Sequence, residues 1–576
     1  MGGAARFGAG LALALVAAVA WSPGANAQDG GRLLKKNAWQ DDAAAHHHKR
    51  PWHKRKTERN YVWWRVTRAK RQAEIDAYLA ENLDDFTSFR TAPLGIKQDV
   101  LNFVGIQMII FRLLPELFPD IWGPPDEKMA RIGFGRDPFE PFSVMPLGTG
   151  YALSETRGPI NVNYMNVSCM GCHSGGVVGP DGALIRTIGG ASPLGEYFGS
   201  INQTVNDERY TAENFRTSLA AKPLGWVYGK LSLLEQEILE RTLFHAPGGA
   251  EFFLGELKFA SNQGSERLAQ TLGQYTYSSP DAPPVQGMPG SLDVFSLSAG
   301  LLANPNNLTP AELEAALPKA PGPADIPAAW KQVDRPRFQW DDSISVLSYR
   351  EVAASLSVSA GDPGAVNLDN VLASSAFTEN LPPHPYPFDV NAAAVARGAR
   401  VYQQACAGCH EPGNDILMTP EETGTDPNRA NIFTPFIIES LINNLRAACT
   451  APECFQPDGE PYPNDEVLES TGGYIQIPLN GIWQTAPYLH NGSVPTLYHL
   501  LTGDRPHSFY RGNYTYDQKL VGFTWDAPTR EGARLYDTSL EGYSNQGHTS
   551  PEMNGGIDWK AHPRKLWDLL EYLKTL

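Results

Sequence analysis

The sequence predicts a mainly α-helical chain with many ordered loops, divided into two domains. Three observations carry that expectation. Apolar residues recur at helical spacing, most clearly Leu566, Leu569, Leu570 and Leu573 near the C-terminus. The 54 glycines and 46 prolines among 576 residues require many turns between modest helices. The motif Cys-x-x-Cys-His occurs twice, as Cys169–His173 and Cys406–His410, and uses four of the six cysteines. In an exported chain this spacing is the attachment signature of c-type haem: both thiols bond to the porphyrin edge and the next His ligates the iron from beneath. The two domains are therefore expected to be cytochrome c-type haem domains, with two covalently bound haem c groups. A zinc knuckle or a redox cysteine pair is the alternative. A tetrahedral zinc site needs four ligands, however, and a His directly after Cys is poorly placed to share one.

Residues 1–27 read as a signal peptide. Arg6 precedes an apolar run from Phe7 to Ala20, and Ala25-Asn26-Ala27 is a small-x-small cleavage site. The run is shorter than the ~20 residues a spanning helix needs. A periplasmic or secreted protein is expected, with no spanning segment after cleavage.

Residues 28–90 form a basic arm and linker. Lys49 to Arg71 carry a net +9, leaving −25 on the rest of a chain whose total is −16. With Trp52, Trp63 and Trp64, this arm suits either anionic lipid or an acidic partner, or folds back on its own acidic body. Global acidity and export argue against nucleic acid as a partner. A helix is expected over Ala73–Leu83.

Residues 91–385 are expected to form the N-terminal haem domain, with long insertions. Val100–Leu114 reads as an apolar helix ended by Pro115 and Pro119. Gly/Pro-rich loops surround the first motif from Arg131 to Ser200. Ser232–Leu243 reads as an amphipathic helix, and Thr309-Pro310-Ala311-Glu312 as a helix start. Gly264–Leu302 is loop-rich and holds Met288-Pro289-Gly290.

A proline-rich break at Leu381–Pro387 precedes residues 386–576, which read as a class I cytochrome c domain. Val390–Gln404 is a helix leading into Cys406. Gly398 on this first helix would let an aromatic of the last helix come close. Cys449 and Cys454 lie in one short loop and suit a disulfide, with two free thiols as the alternative.

The ligand on the other face of each iron decides function: two protein ligands suit electron transfer, and an open face suits oxygen or peroxide. Candidates for the second haem are His490, His499, His507, His548, His562 and Met553. Met418 lies too near its motif for an easy crossing.

The stretch Pro478–Leu497 (PLNGIWQTAPYLHNGSVPTL) resembles the C-terminal signature of dihaem cytochrome c peroxidases. It is most similar to the branch holding bacterial rubber oxygenase and the periplasmic dihaem fatty-acid dioxygenases. Trp340-Asp341 with Ser343–Leu356, Tyr516–Phe523 and Ser544-Asn545-Gln546-Gly547-His548 also match that branch. The resemblance runs from about Arg136 to the C-terminus and leaves out the basic arm.

It implies a second haem held by His410 and His548, with His490 as second choice or as a contact beside the haem. It implies a first haem on His173 with an open distal face, where Met288 and Phe295 are the pocket candidates, with Phe252 and Phe253. The distal Trp of rubber oxygenase is absent; Gln286, Gly287 and Met288 stand near its place and imply a differently shaped pocket. The implied activity is addition of O2 to an unsaturated apolar substrate, a fatty acid or isoprenoid. Reduction of hydrogen peroxide, with electrons from a small redox-protein donor, is the second reading. A non-catalytic electron carrier is the third, with His245 or Met288 closing the first haem. Calcium occurs between the domains of peroxidase relatives, but no loop here shows a ligand spacing for it.

Overall fold

The computed structural model describes residues 52–94, 105–155, 161–190, 192, 197–227, 234–272, 288–293, 320–358 and 362–576. The signal peptide, Phe295 and the Thr309 helix start lie outside them. The chain is mixed rather than mainly helical, about 45% helix and 12% strand. The strands are short hairpins among glycines, so their period-two signal is brief. β2 (Thr149–Glu155) and β3 (Asn161–Val167) pair antiparallel, Thr149 opposite Val167, and β3 is buried from Val162 to Val167.

Residues His48–Leu576 form one compact unit. The arm is a long helix, α1 (Trp52–Glu81), followed by α2 (Leu83–Thr91). The expected helix at Ala73 is thus only the end of a longer one. Its described part folds back on the body. Trp64 is fully buried, and its Nε1 donates to the carbonyls of Tyr386 and Phe388 at 3.2 and 2.9 Å. Arg65 pairs with Asp389, and Arg71 donates to the Thr575 carbonyl at 2.6 Å.

The described part of the apolar segment, from Gly105, begins with strand rather than helix. β1 (Ile106–Gln107) pairs with β3, and the helix α3 (Met108–Leu117) follows. Pro115 sits in the last turn of α3, where its missing N–H costs one bond rather than ending the helix before it. Met108, Ile109, Phe111, Leu113 and Leu114 build a first core with Trp122, Tyr164 and Phe215. The helix expected at Ser232 runs over Leu234–His245. Among the described residues no helix is long and apolar enough to cross a membrane.

A second core joins α4 (Leu347–Val358) to α6 (Pro435–Ala448), with α5 (Leu368–Asn380) packed beside α4 and α2. The Cys449–Cys454 disulfide closes one end, Cα–Cα 5.6 Å. A third core surrounds Tyr386 and Trp483, with α7 (Ala392–Ala405) crossing α8 (Pro563–Leu573). Asn391 caps α7, its side chain accepting from the amides of Ala393 and Ala394. At the crossing, a Cβ on Gly398 would lie 1.9 Å from the Asp568 carbonyl oxygen and 2.8 Å from the Tyr572 Cβ. The close approach expected of this glycine is present.

Candidate haem-attachment sites

The second motif follows α7 without a break. Cys406 caps that helix, and Ala407–His410 form one further turn. The His410 Nδ1 donates to the Ile477 carbonyl at 2.8 Å; a carbonyl only accepts, so this bond fixes the tautomer and leaves the Nε2 lone pair free. The ring of His548 lies 6.3 Å from that of His410, centroid to centroid, with the planes inclined by 26°.

His548 reaches this place from a bent loop. Its φ is +58°, in the left-handed region that histidine visits more readily than most residues. Its amide donates to the Thr423 carbonyl at 3.0 Å. Arg505 clasps the same loop, its guanidinium donating to the carbonyls of Asn545 and Gly547, and also to those of His499 and Leu500. Nothing in the local sequence marked Arg505 for this role, because its partners are backbone atoms up to 42 positions away.

Burial lowers the pKa of His410, opposed by the Ile477 bond. It lowers that of His548 to about 4, helped by the His410 charge. His410 and His548 are each partly buried.

The first motif sits differently. It follows β3 directly as one turn, Cys169–Cys172, and His173 leads into β4 (Ser174–Val178), which pairs with β5 (Leu184–Ile188). The His173 carbonyl accepts from Gly189 and the Cys172 carbonyl from Ser192, both at 2.8 Å. Burial, then the charge of Arg350, brings the His173 pKa down to about 3. Its Nδ1 is buried without a hydrogen-bond partner. The ring recorded beside it is Phe89, 6.4 Å away, and Phe89 in turn meets Phe377 at 5.0 Å. Arg350, on α4, pairs with Glu351 and brings a guanidinium group near the motif, with Arg335 close to Arg350 in turn. Arg335 is pushed down to about 10, by burial first and then by Arg350.

These donor sets fit a covalently attached haem. The four motif cysteines are unbridged, while the other two are paired. Burial favours the neutral form of these histidines, the form that ligates iron. Arg350 beside the first motif suits a carboxylate of a porphyrin. Residues 473–511 match a family described as RoxA-like, cytochrome c-like. That match links the chain to c-type cytochromes and covers both Ile477 and His490. Residues 87–173 match a Y4iN-like domain that ends on His173.

Three proteins of Sinorhizobium fredii are similar. The uncharacterized protein y4iM is 35% identical over 277 residues, 44% of this chain and 64% of its own length. The uncharacterized proteins y4iJ and y4iN are 30% and 36% identical, over 35% and 17% of this chain. The chain spans 64% of y4iM and 43% of each of the other two.

Other expected site residues lie elsewhere. His490 is buried against Tyr474, rings 4.2 Å apart; the Tyr474 hydroxyl donates to the Asp426 carbonyl, so the His490 Nε2–H donates to that hydroxyl at 3.2 Å. Met288 is buried in an aromatic cluster with Phe509, Tyr536 and Tyr543. Phe253 belongs to the first core, whereas Phe252 and His245 are exposed. Among the described residues no group of three or more His, Cys, Asp or Glu is placed to hold a bare metal ion, so calcium rests on the resemblance alone.

One residue that the sequence reading did not single out links the two motifs. Trp330 is 2% exposed, and its Nε1 donates to the Asn480 carbonyl at 2.7 Å. A Cβ on Gly189 or Gly481 would lie 3.0 or 2.7 Å from its ring. Gly189 is bonded to His173, and Asn480 lies three positions after the carbonyl that holds His410.

Proposed function

We propose that the chain is an exported dihaem c-type cytochrome oxidoreductase that adds O2 to an unsaturated fatty acid or isoprenoid at the His173 site. The His410/His548 site moves electrons. The asymmetry between the two motif histidines carries this reading. A second imidazole lies 6.3 Å from that of His410, and two imidazoles bonded to one metal at about 2 Å each have centroids about 6 Å apart. The ring beside His173 is instead the hydrocarbon ring of Phe89.

Bound haem supplies the O2 and one-electron chemistry. The chain's own residues do the rest. Ile477 orients His410, and Arg505 holds the loop of His548. Phe89 and Phe377 exclude water from the side of His173. Trp330 offers a short packed route between the motifs.

Reduction of hydrogen peroxide is the alternative, favoured by Gln484. Its carboxamide is buried with both polar atoms unpaired, and its Oε1 would lie 3.5 Å from a Cβ on Gly190, next to the residue that bonds His173. Such a group can move a proton during O–O cleavage. The carrier alternative gains no support, since His245 is exposed and Met288 is held in its aromatic cluster.

The deciding experiment is electronic absorption and EPR of the purified holoprotein, before and after reduction and addition of CO. One high-spin or oxygen-bound haem that takes up ligand, beside one low-spin haem, is expected. Oxygen uptake with unsaturated fatty acids or polyisoprene is then assayed against donor oxidation by peroxide. Two low-spin haems that refuse ligand would overturn the enzyme reading.

A further inference from the structure

The Cys449–Cys454 disulfide closes a tight loop at the end of α6. Cys449 caps that helix, and Cys454 lies five positions on. Both cysteines are buried, while Pro452 and Glu453 between them reach the surface. Inside the loop the Cys454 amide donates to the Ala451 carbonyl at 2.9 Å. A cross-linked loop this short has few conformations open to it, so its remaining carbonyls are held in place.

Two of those carbonyls grip α4. The Ser348 Oγ donates to the Glu453 carbonyl at 2.9 Å, and the Tyr349 hydroxyl to the Cys454 carbonyl at 3.2 Å, each across 105 positions. Tyr349, Val352 and Leu356 of α4 share one core with both cysteines.

The next two residues of α4 are Arg350 and Glu351, both buried and paired with each other. Successive side chains on a helix project roughly 100° apart. The pair therefore presents opposite charges in two directions. Arg350 is the charge that acts on His173, whereas Glu351 acts more strongly than Arg350 on Cys169. A turn of α4 about its own axis would change which sign faces His173, and Ser348 and Tyr349 oppose such a turn.

We propose that the Cys449–Cys454 loop is a positioning strut for the first haem site. Through Ser348 and Tyr349 it holds α4 so that the Arg350 guanidinium, rather than the Glu351 carboxylate, faces the haem carried on His173. A fixed cation at that place favours the iron state with one more electron and so raises the reduction potential. The inference rests on reading a haem at Cys169 and Cys172.

The test is a spectroelectrochemical titration of the full-length holoprotein, in which the high-spin and low-spin haems are followed separately. The double variant Cys449→Ala/Cys454→Ala lowers the potential of the first haem and leaves that of the second unchanged. Arg350→Gln lowers the first potential by itself. Added to the cysteine pair it gives little further fall, because both changes withdraw the same cation. Tyr349→Phe keeps the disulfide and removes one bond, so it gives a smaller fall of the same sign; it decides the question where the cysteine variant fails to fold. A first potential unmoved by these changes, or an equal fall at both haems, limits the loop to general stability and overturns the strut. Falls that add in full, or an Arg350→Gln variant without effect, overturn the route through Arg350. A holoprotein with no haem at Cys169 and Cys172 overturns the reading of that site, and the strut with it.

Discussion

The rings of His410 and His548 lie 6.3 Å apart, with planes 26° from parallel, although 138 positions separate them in the chain. A helix end brings one and a left-handed loop brings the other. If the pair grips one iron, removing His548 opens that iron. His548→Ala is expected to keep its full complement of covalent haem, because the thioethers remain. It should convert one low-spin EPR signal to high-spin and allow CO to bind where the wild type refuses it. Added imidazole should restore the low-spin signal. An unchanged low-spin spectrum would assign the ligand to another residue, with His490 next in line.

Arg505 acts on His548 only through backbone carbonyls. Arg505→Ala leaves several buried acceptors unpaired, at about 1–3 kcal/mol for an unsatisfied group. The expected result is a lower Tm together with a mixture of low-spin and high-spin haem. Arg505→Lys should recover little, because an ammonium cannot reach carbonyls on two segments at once. Loss of stability with a fully low-spin haem would limit Arg505 to a scaffold role.

Trp330→Phe keeps the ring stacked between Gly189 and Gly481 but removes the Nε1 bond to Asn480. In the proposed dihaem protein, electron transfer between the haems should slow after rapid reduction of the second, while each haem keeps its own spectrum. Equal transfer rates in variant and wild type would place the route elsewhere.

Two buried histidines outside the favoured ligand set make stability pH-dependent. Burial lowers His384 from 6.5 to about 4, and burial with the Arg429 charge lowers His490 to about 3. Between those values and 6.5 the unfolded chain binds protons that the folded chain refuses. Their contribution is therefore whole above 6.5 and is lost as pH falls toward 4 and then 3. His384 accounts for roughly 3 kcal/mol and His490 for roughly 5 kcal/mol. Thermal melts should show Tm falling through this window, and His384→Gln should flatten part of the fall.

At the α7–α8 crossing, Gly398→Ala would press its methyl into the Asp568 carbonyl. Overpacking of this kind costs about 1–3 kcal/mol. The Tm should drop well below that of a Gly→Ala control at an exposed helix site, and a Tm equal to that control would show that the helices can part without cost.

Much of this was legible in the sequence because it is local. Cys-x-x-Cys-His is a five-residue signal, so both motifs were visible at once. The apolar spacing of Leu566, Leu569, Leu570 and Leu573 marked the last helix, and all four are buried. The short loop between Cys449 and Cys454 pointed to their disulfide. The strands around the first motif were missed because β4 reads SGGVV, where two glycines hide the alternation.

The sequence by itself determined the two Cys-x-x-Cys-His motifs, the helices that cross beside the second motif and the acidic stretch around Cys409. Each depends on residues close together in the chain. Only the tertiary structure decided which histidine lies beside His410, that Phe89 lies beside His173, and that Trp330 and Arg505 serve these sites. Those relationships are contacts across tens to hundreds of positions, made through backbone carbonyls and packed rings. Residue type and spacing carry no record of such contacts until the chain has folded.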